Sequence, residues 1–384
     1  MSAAFDQGDT ARVLEELVRI PSLSRDEGAA AGYLVDALGS RGFRAHLDAA
    51  GNAVGVIGQG TRTIALVGHI DTVPGDLPVH VTDGVLHGRG SVDAKGSLVT
   101  LCSAARRAVD AGVDGRFVVV GCVEEEAESS KGAQYLADTW TAAPEALVIG
   151  EPSGADGVTL GYKGILSGRV DVACDSAHGA HEAKSAPELA SDIWQRIARD
   201  AATFAPEGAT LFDSILPRLM GMGSSHDGVA DTANLRLALR LPPSLTPDEA
   251  EAWVRERVAA IACGGTFTVG GRAAAWRGPR TSSIARALGR EILRTGVKPR
   301  FQVKTGTADL NVLAPVWGCP AVAYGPGDAA LDHTPEERVS LAEVEVAAQT
   351  LGRALASLLP QAVEGDGADD DRADQDLLDV VRNA

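Results

Sequence analysis

Over residues 52–152 the sequence alternates short apolar runs of β type with amphipathic helical stretches, and this alternation limits the chain to few folds. The runs cover 52–57, 64–67, 117–123 and 147–149, and between them 97–111 and 131–137 carry apolar residues at helical spacing. Strands alternating with helices predict an α/β sheet covered on both faces, with chemistry gathered at the carboxyl ends of the strands. Upstream, 7–20 reads as a helix with Val13, Leu14, Leu17 and Ile20 on one face, ended by Pro21. A second helix is expected over 28–38.

The texture changes near 162–164. Longer alternating strands are expected over 165–174 and 234–241, a shorter one over 266–269, and helices at about 186–201 and 246–261. That order predicts a small antiparallel sheet backed by two helices and inserted into the first domain. Helix (281–295), strands (300–304 and 321–324) and a last helix from Leu341 then resume the first pattern. The expected division is 1–165 with 275–362 as one discontinuous domain and 166–274 as an inserted α+β domain. The tail 363–384 is almost wholly Gly, Ala and acid over 364–374, and is expected to be mobile.

Charge excludes some functions. With 35 Lys+Arg against 52 Asp+Glu, the formal net charge is −17, which opposes binding to nucleic-acid phosphates. The apolar runs are too short to cross a bilayer, and the N-terminus lacks a basic-then-apolar leader, so a cytoplasmic protein without membrane contact is expected. Cys102, Cys122, Cys174, Cys263 and Cys319 are widely spaced and fit neither a disulfide framework nor a thiolate zinc knot.

Most of the possible hard-metal ligands follow expected strands and stand beside Gly or Pro. They are His69 and Asp71, Asp93 in Gly88-Arg-Gly-Ser-Val-Asp93, the run Glu124-Glu125-Glu126, Glu151 in Gly150-Glu-Pro-Ser153, and His333 in Leu331-Asp-His-Thr-Pro335. Singly, each has an ordinary use: a strand-end His is commonly capped, and an acidic triplet is commonly a solvated face. Jointly, imidazole and carboxylate are a ligand set for Zn²⁺ or a similar ion. Two ions sharing a bridging carboxylate would lie about 3.5–4 Å apart. A Gly-x-Ser-x-Gly elbow and a phosphate loop ending in Gly-Lys-Ser/Thr are both absent.

The segments Gly68-His-Ile-Asp-Thr-Val-Pro74, Gly88-Arg-Gly-Ser-Val-Asp-Ala-Lys-Gly96, Glu124-Glu-Glu126, Gly150-Glu-Pro-Ser153 and His333 resemble the M20 family of metallopeptidases and deacylases. The likeness covers nearly the whole chain apart from the tail. Within the family, Thr159-Leu-Gly-Tyr-Lys-Gly164, Lys304-Thr-Gly-Thr-Ala-Asp309 and Tyr324-Gly-Pro-Gly-Asp328 look like the amino-group-carrier-protein lysine/ornithine hydrolases. The resemblance implies a zinc-peptidase-like catalytic domain, its mixed sheet flanked by helices, with the insert as a lid and dimerisation domain. It further implies two divalent ions, Zn²⁺ or Co²⁺. His69, Asp93 and Glu151 would hold one, and Asp93, Glu126 and His333 the other, with Asp93 bridging. Asp71 would accept a hydrogen bond from His69, and Glu125 would be the general base. Counting back from Gly132 makes the family's glutamate pair Glu125-Glu126; a shift of one residue makes it Glu124-Glu125.

In the insert, the resemblance gives His178 an oxyanion contact across a dimer interface, with His181 a nearby competitor. Arg240, Thr305, Gly306 and Thr307 resemble the family's contacts to a substrate carboxylate. The expected function is release of lysine or ornithine from a small acidic carrier protein, the amide being on its terminal glutamate, in lysine or arginine biosynthesis. The alternatives are a deacetylase of free acetyl-ornithine or acetyl-lysine, and an inactive scaffold. An acidic partner meeting a chain of charge −17 would require a local patch of Arg or Lys, or screening by salt.

Overall fold

The computed structural model describes residues 5, 7–176 and 183–361; His178, His181 and the tail 363–384 lie outside them. The described chain divides into two compact units. One takes the chain up to Gly161, Gly278–Gln302 and the residues from Ala308 onward, and the other takes Tyr162–Arg277 with Val303–Thr307. The second unit thus reaches slightly beyond 166–274 on both sides. It also includes a short segment, Val303–Thr307, that the sequence reading kept with the first.

In the first unit a mixed sheet runs in the order Arg44–Leu47, Ala53–Ile57, Arg116–Cys122, Thr63–His69, Ala146–Gly150, Ala321–Ala323, Gly157–Tyr162. The four strands from Arg116–Cys122 to Ala321–Ala323 are mutually parallel, and antiparallel strands flank them on both sides. Arg116–Cys122 and Ala146–Gly150 are buried along their whole length, as strands covered on both faces must be. The helix Lys95–Asp110 packs on Thr63–His69, and Leu341–Ala356 packs on that helix. This is the expected α/β class, a mixed sheet flanked by helices. No described helix is long and apolar enough to cross a membrane.

Two features set the strand ends. A Cβ on Gly150 would come within 2.9 Å of Leu101 Cδ1, and one on Gly68 within 3.4 Å of Leu98 Cα, so glycine lets the helix lie close over both strands. The buried Lys95 Nζ donates to the Leu17 and Ile20 carbonyls at 3.1 and 2.8 Å, which satisfies carbonyls at the end of the helix Gln7–Val18. A small antiparallel sheet, Arg338–Ser340, Val85–His87 and His80–Thr82, sits beside them. The loop to Asp93 leaves Val85–His87, and the loop from His333 enters Arg338–Ser340, so one strand pairing brings both loops together.

The second unit is a four-stranded antiparallel sheet in the order Leu216–His226, Ala230–Leu241, Gly164–Asp175, Thr266–Ala273. Alternation puts Leu235, Leu237 and Leu239 on one face, where they pack with Ile193 and Ile197 of the helix Ala186–Ala202 and Val254 and Val258 of the helix Pro247–Ile261. Both helices open with capping boxes, Ser185 with Glu188 and Thr246 with Glu249.

Lys163 is buried, and its Nζ donates to the carbonyls of Leu211, Phe212 and Ser214. Burial holds this ammonium down, to about 8. Lys163→Met removes the donor from three carbonyls at once, so it should cost about 2–3 kcal/mol. The check is the urea midpoint of the second unit's transition, which should fall while its slope is kept; an unmoved midpoint contradicts the role.

Candidate metal centre at the strand ends

Three neighbouring parallel strands deliver the first group of side chains. His69 is the last residue of Thr63–His69, the Glu124-Glu125-Glu126 run follows Arg116–Cys122, and Glu151 follows Ala146–Gly150. In register, His69 is opposite Cys122 and Gly68 opposite Gly150, so these residues leave the sheet at one level. The loops from the small sheet add Asp93 and His333.

Asp93 stands between the two imidazoles. Its Oδ1 lies 3.1 Å from His69 Nε2, and its Oδ2 lies 3.0 Å from His333 Nε2. Glu151 Oε1 is 3.9 Å from His69 Nε2, and Glu126 Oε1 is 2.8 Å from His333 Nε2. His69, Asp93 and Glu126 each offer a ligand atom within 4.8 Å of the others. The structure therefore forms two groups, His69–Asp93–Glu151 and His333–Asp93–Glu126, sharing one carboxylate.

The tautomer of His69 tests whether these groups suit a cation. Its Nδ1–H donates to the Asp71 carbonyl oxygen at 3.0 Å, and a carbonyl only accepts. In the neutral ring, Nε2 then presents a lone pair to the Asp93 and Glu151 carboxylates, an arrangement that needs a positive charge between them. The pull of the carboxylates on the imidazole protons reflects the same need. Burial pulls the His69 imidazole down, but the Asp71 and Asp93 carboxylates and the field of Glu125 outweigh it and hold it well above the ordinary value. Hydrogen bonds to Asp93 and Glu126 lift His333 to about 10. Burial would raise Asp93, yet the two imidazoles keep it below the usual carboxylate range. A site that holds protons this firmly has the charge and donor set for divalent ions.

Asp71 differs from its expected contact. Its carboxylate is 3.6 Å from His69 Nδ1, and the main-chain carbonyl takes the bond instead. The carboxylate is fully buried and accepts from Glu125 N and Glu126 N, each at 3.0 Å, and from Ser24 Oγ at 2.7 Å. Asp71 thus fixes the glutamate turn to the His69 strand end.

That turn separates the three glutamates. Glu124 has φ 57°, and its carboxylate turns to Ser129 Oγ at 2.7 Å, with Arg25 and Lys131 at 3.6 and 3.8 Å. Its N–H donates to Glu27 Oε1 at 3.0 Å. Glu126 reaches His333, and Glu125 lies in the field of His69, Glu126 and Glu151. Burial, then Asp309, Glu151 and Glu126, push the Glu125 carboxyl well above its ordinary value, against the pull of His69. A carboxyl raised in this way suits proton transfer near neutrality.

Sequence reasoning missed three residues. Glu337 is buried; its Oε1 accepts from Val92 N and Asp93 N at 3.1 and 3.2 Å, and its Oε2 accepts from Arg89 Nη1 at 2.6 Å. Arg89 also reaches the Gly75 carbonyl, so Glu337 and Arg89 tie the Asp93 loop to its neighbours. Asp309 is buried with neither carboxyl oxygen hydrogen-bonded, and burial, with Asp71 nearby, pushes it up to about 7. Ser24 was the third. An acid four residues after His333 was the one visible signal for Glu337; Ser24 had none. In the second unit, Arg240 Nη1 donates to Thr307 Oγ1 at 2.9 Å, bringing two of the four expected substrate contacts together. Thr305 and Gly306 lie in the same short segment.

Imidazoles and acids converging on one shared carboxylate, beside a half-buried glutamate whose carboxyl is pushed above its ordinary value, are the working parts of a metal-dependent hydrolase. The chain belongs to peptidase family M20/M25/M40, whose family model matches residues 65–357. It is 47% identical over 364 residues to the [LysW]-lysine hydrolase of Deinococcus radiodurans, covering 94% of this chain and 99% of that one. It is 38% identical over 339 residues to a putative [LysW]-lysine/[LysW]-ornithine hydrolase of Thermococcus kodakarensis, covering 88% and 89%. In fold it is similar to the M20 family metallo-carboxypeptidase Sso-CP2 of Sulfolobus solfataricus, with TM-score 0.77, 16% identity and 91% and 99% coverage.

The geometry sets an expectation for metal content. Elemental analysis after dialysis against Zn²⁺ should find two divalent ions per chain in the wild type and in Glu124→Gln. Asp93→Ala, which removes the shared carboxylate, should hold one at most. Two ions retained by Asp93→Ala would contradict the shared site.

Proposed function

We propose that this protein hydrolyses the amide between the α-amino group of lysine or ornithine and the terminal glutamate side chain of a carrier protein, releasing the free amino acid for lysine or arginine biosynthesis. The observation that carries the chemistry is the Asp93 carboxylate, reaching His69 with one oxygen and His333 with the other. The substrate class rests on the relatives, whose names specify LysW-linked lysine and ornithine. In this reading the enzyme is cytoplasmic and works as a homodimer.

His69, Asp93 and Glu151 would hold one ion and Asp93, Glu126 and His333 the other, with Zn²⁺ as the first choice and Co²⁺ the second. When bound, the ions supply Lewis acidity that polarises the amide carbonyl and acidifies water. Glu125 takes a proton from the attacking water as its oxygen bonds to the carbonyl carbon. The same carboxyl then passes that proton to the amide nitrogen, so the C–N bond breaks with a neutral amine leaving and the new carboxyl remaining on the carrier. Burial favours the protonated form of Glu125, which suits the second half of this cycle. His178 would donate to the carbonyl oxygen. Arg240, held beside Thr307, would grip the α-carboxylate of the amino acid, with Thr305 and Gly306 contributing to the same contact.

Two comparisons test the reading. Carrier-linked lysine should be turned over with a kcat/KM at least about 100-fold above that of N-acetyl-lysine, since remote contacts add transition-state binding; the reverse preference would make the enzyme a free-substrate deacetylase. Glu125→Gln should lower kcat by about 100- to 10,000-fold, while Glu124→Gln, whose carboxylate faces Ser129, stays within about threefold of wild type by the ordinary range for changes away from the chemistry. Comparable losses in both variants would remove Glu125 from the role of base.

A further inference from the structure

The turn that carries the three glutamates is held by a residue that the chemistry itself does not use. Glu27 stands at the start of the helix Gly28–Gly39, is 6% exposed, and lies in the same compact unit as the metal centre. Its Oε1 accepts from Arg25 N at 2.8 Å and from Glu124 N at 3.0 Å. Arg25 has φ 78° and Glu124 φ 57°, a left-handed backbone that residues with a Cβ seldom adopt. One carboxylate oxygen therefore supports two strained turns, and such strain persists only where neighbouring groups hold it.

The segment leading to Glu27 is itself fastened to the chain that leaves the His69 strand. Ser22 Oγ donates to the Ile70 carbonyl at 2.7 Å, Thr72 N donates to the Ser22 carbonyl at 2.8 Å, and Ser24 Oγ donates to Asp71 at 2.7 Å. Asp71 in turn accepts from Glu125 N and Glu126 N. Three successive N–H groups, those of Glu124, Glu125 and Glu126, thus end on two buried carboxylates. A run of three identical acids needs such a clamp. A slip by one residue would present the same side chains one place along, so side-chain chemistry alone does little to forbid it.

We propose that Glu27 is a positioning residue: by holding the Glu124 N–H it keeps Glu124 turned to Ser129, so that Glu125 takes the place of the base and Glu126 the place beside His333. The inference rests on the roles given to Glu125 and Glu126 above and names what enforces them. Without that acceptor, the Glu124 N–H is buried unpaired and its left-handed φ is unsupported. The turn then relaxes, and Glu125 and Glu126 leave their positions together. Loss of Glu27 therefore impairs both proton transfer and metal binding. Glutamine keeps an acceptor oxygen of the same reach, so the conservative variant retains the clamp.

The experiment compares Glu27→Gln, Glu27→Asp and Glu27→Ala with wild type, as full chains loaded with Zn²⁺. Zn²⁺ affinity is read by competition with a chromophoric chelator, and kcat and KM are measured on carrier-linked lysine. Glu27→Ala should bind its weaker Zn²⁺ at least about tenfold less tightly, and its kcat should fall at least about tenfold with KM within about threefold. Glu27→Gln should stay within about threefold of wild type in both readouts. Glu27→Asp, which withdraws the acceptor by one methylene, should fall between, and it carries the test if the alanine variant does not fold. Glu27→Ala/Glu124→Gly should regain at least about threefold in kcat over Glu27→Ala, because glycine takes a left-handed φ without support. A packing loss at residue 27 would not be mended at residue 124, so no regain overturns the proposal. Wild-type Zn²⁺ affinity and kcat in Glu27→Ala, or a glutamine variant as impaired as the alanine one, also overturns it. Wild type that binds two Zn²⁺ and leaves carrier-linked lysine intact overturns the proposed function instead, and Zn²⁺ affinity across the variants then decides the role of Glu27.

Discussion

The Asp93 carboxylate cannot sit between two imidazole nitrogens and beside further acids unless positive charge sits there too. One oxygen faces His69 Nε2 and the other His333 Nε2, while Glu151 and Glu126 approach those same two nitrogens. Coulomb repulsion among three carboxylates in a partly buried site is severe, because the low local dielectric that strengthens attraction strengthens repulsion equally. These carboxylates push both imidazoles toward their protonated forms. Two divalent cations would meet the demand for positive charge and leave the histidines neutral, which is the form that ligates.

The fold exists around that demand. Parallel strands all end on one side, so a sheet of this kind can place His69, Glu125, Glu126 and Glu151 along one edge without any long loop. The edge alone does not orient them. Asp71 accepts the N–H groups of Glu125 and Glu126, and Glu337 accepts those of Val92 and Asp93. Both are buried carboxylates that accept from backbone N–H groups, with Ser24 and Arg89 as added side-chain donors, so each fixes where a neighbouring chain segment runs. Rigid support of this sort is what keeps ligand atoms at the distances a metal requires.

Much of this was legible in the sequence because its signals were local. Apolar runs ending at Gly68, Gly121 and Gly150 mark strand ends, and the acids and histidine beyond them mark the site. The strand Leu216–His226 was not legible: it is an edge strand, half exposed, and Gly221 and Gly223 interrupt its alternation. The short strands of the small sheet carry three residues each, too few to show a period. The helix Leu310–Trp317 contains Pro315, which reads as a breaker. The order of the glutamates needed coordinates as well. Nothing in a run of three identical residues says which one turns back, and the answer lies in the left-handed φ of Glu124 and its contact with Ser129. Likewise, whether His69 meets the carboxylate or the carbonyl of Asp71 depends on a difference of 0.6 Å, from 3.6 to 3.0 Å, which no pattern encodes.

The shared carboxylate remains the claim on which the chemistry stands. Anomalous diffraction from crystals soaked in Zn²⁺, recorded on both sides of the zinc edge, tests it most directly. Two peaks flanking Asp93, about 3.5–4 Å apart, one beside His69 and one beside His333, are the predicted result; a single peak, or two with no contact to Asp93, would contradict it.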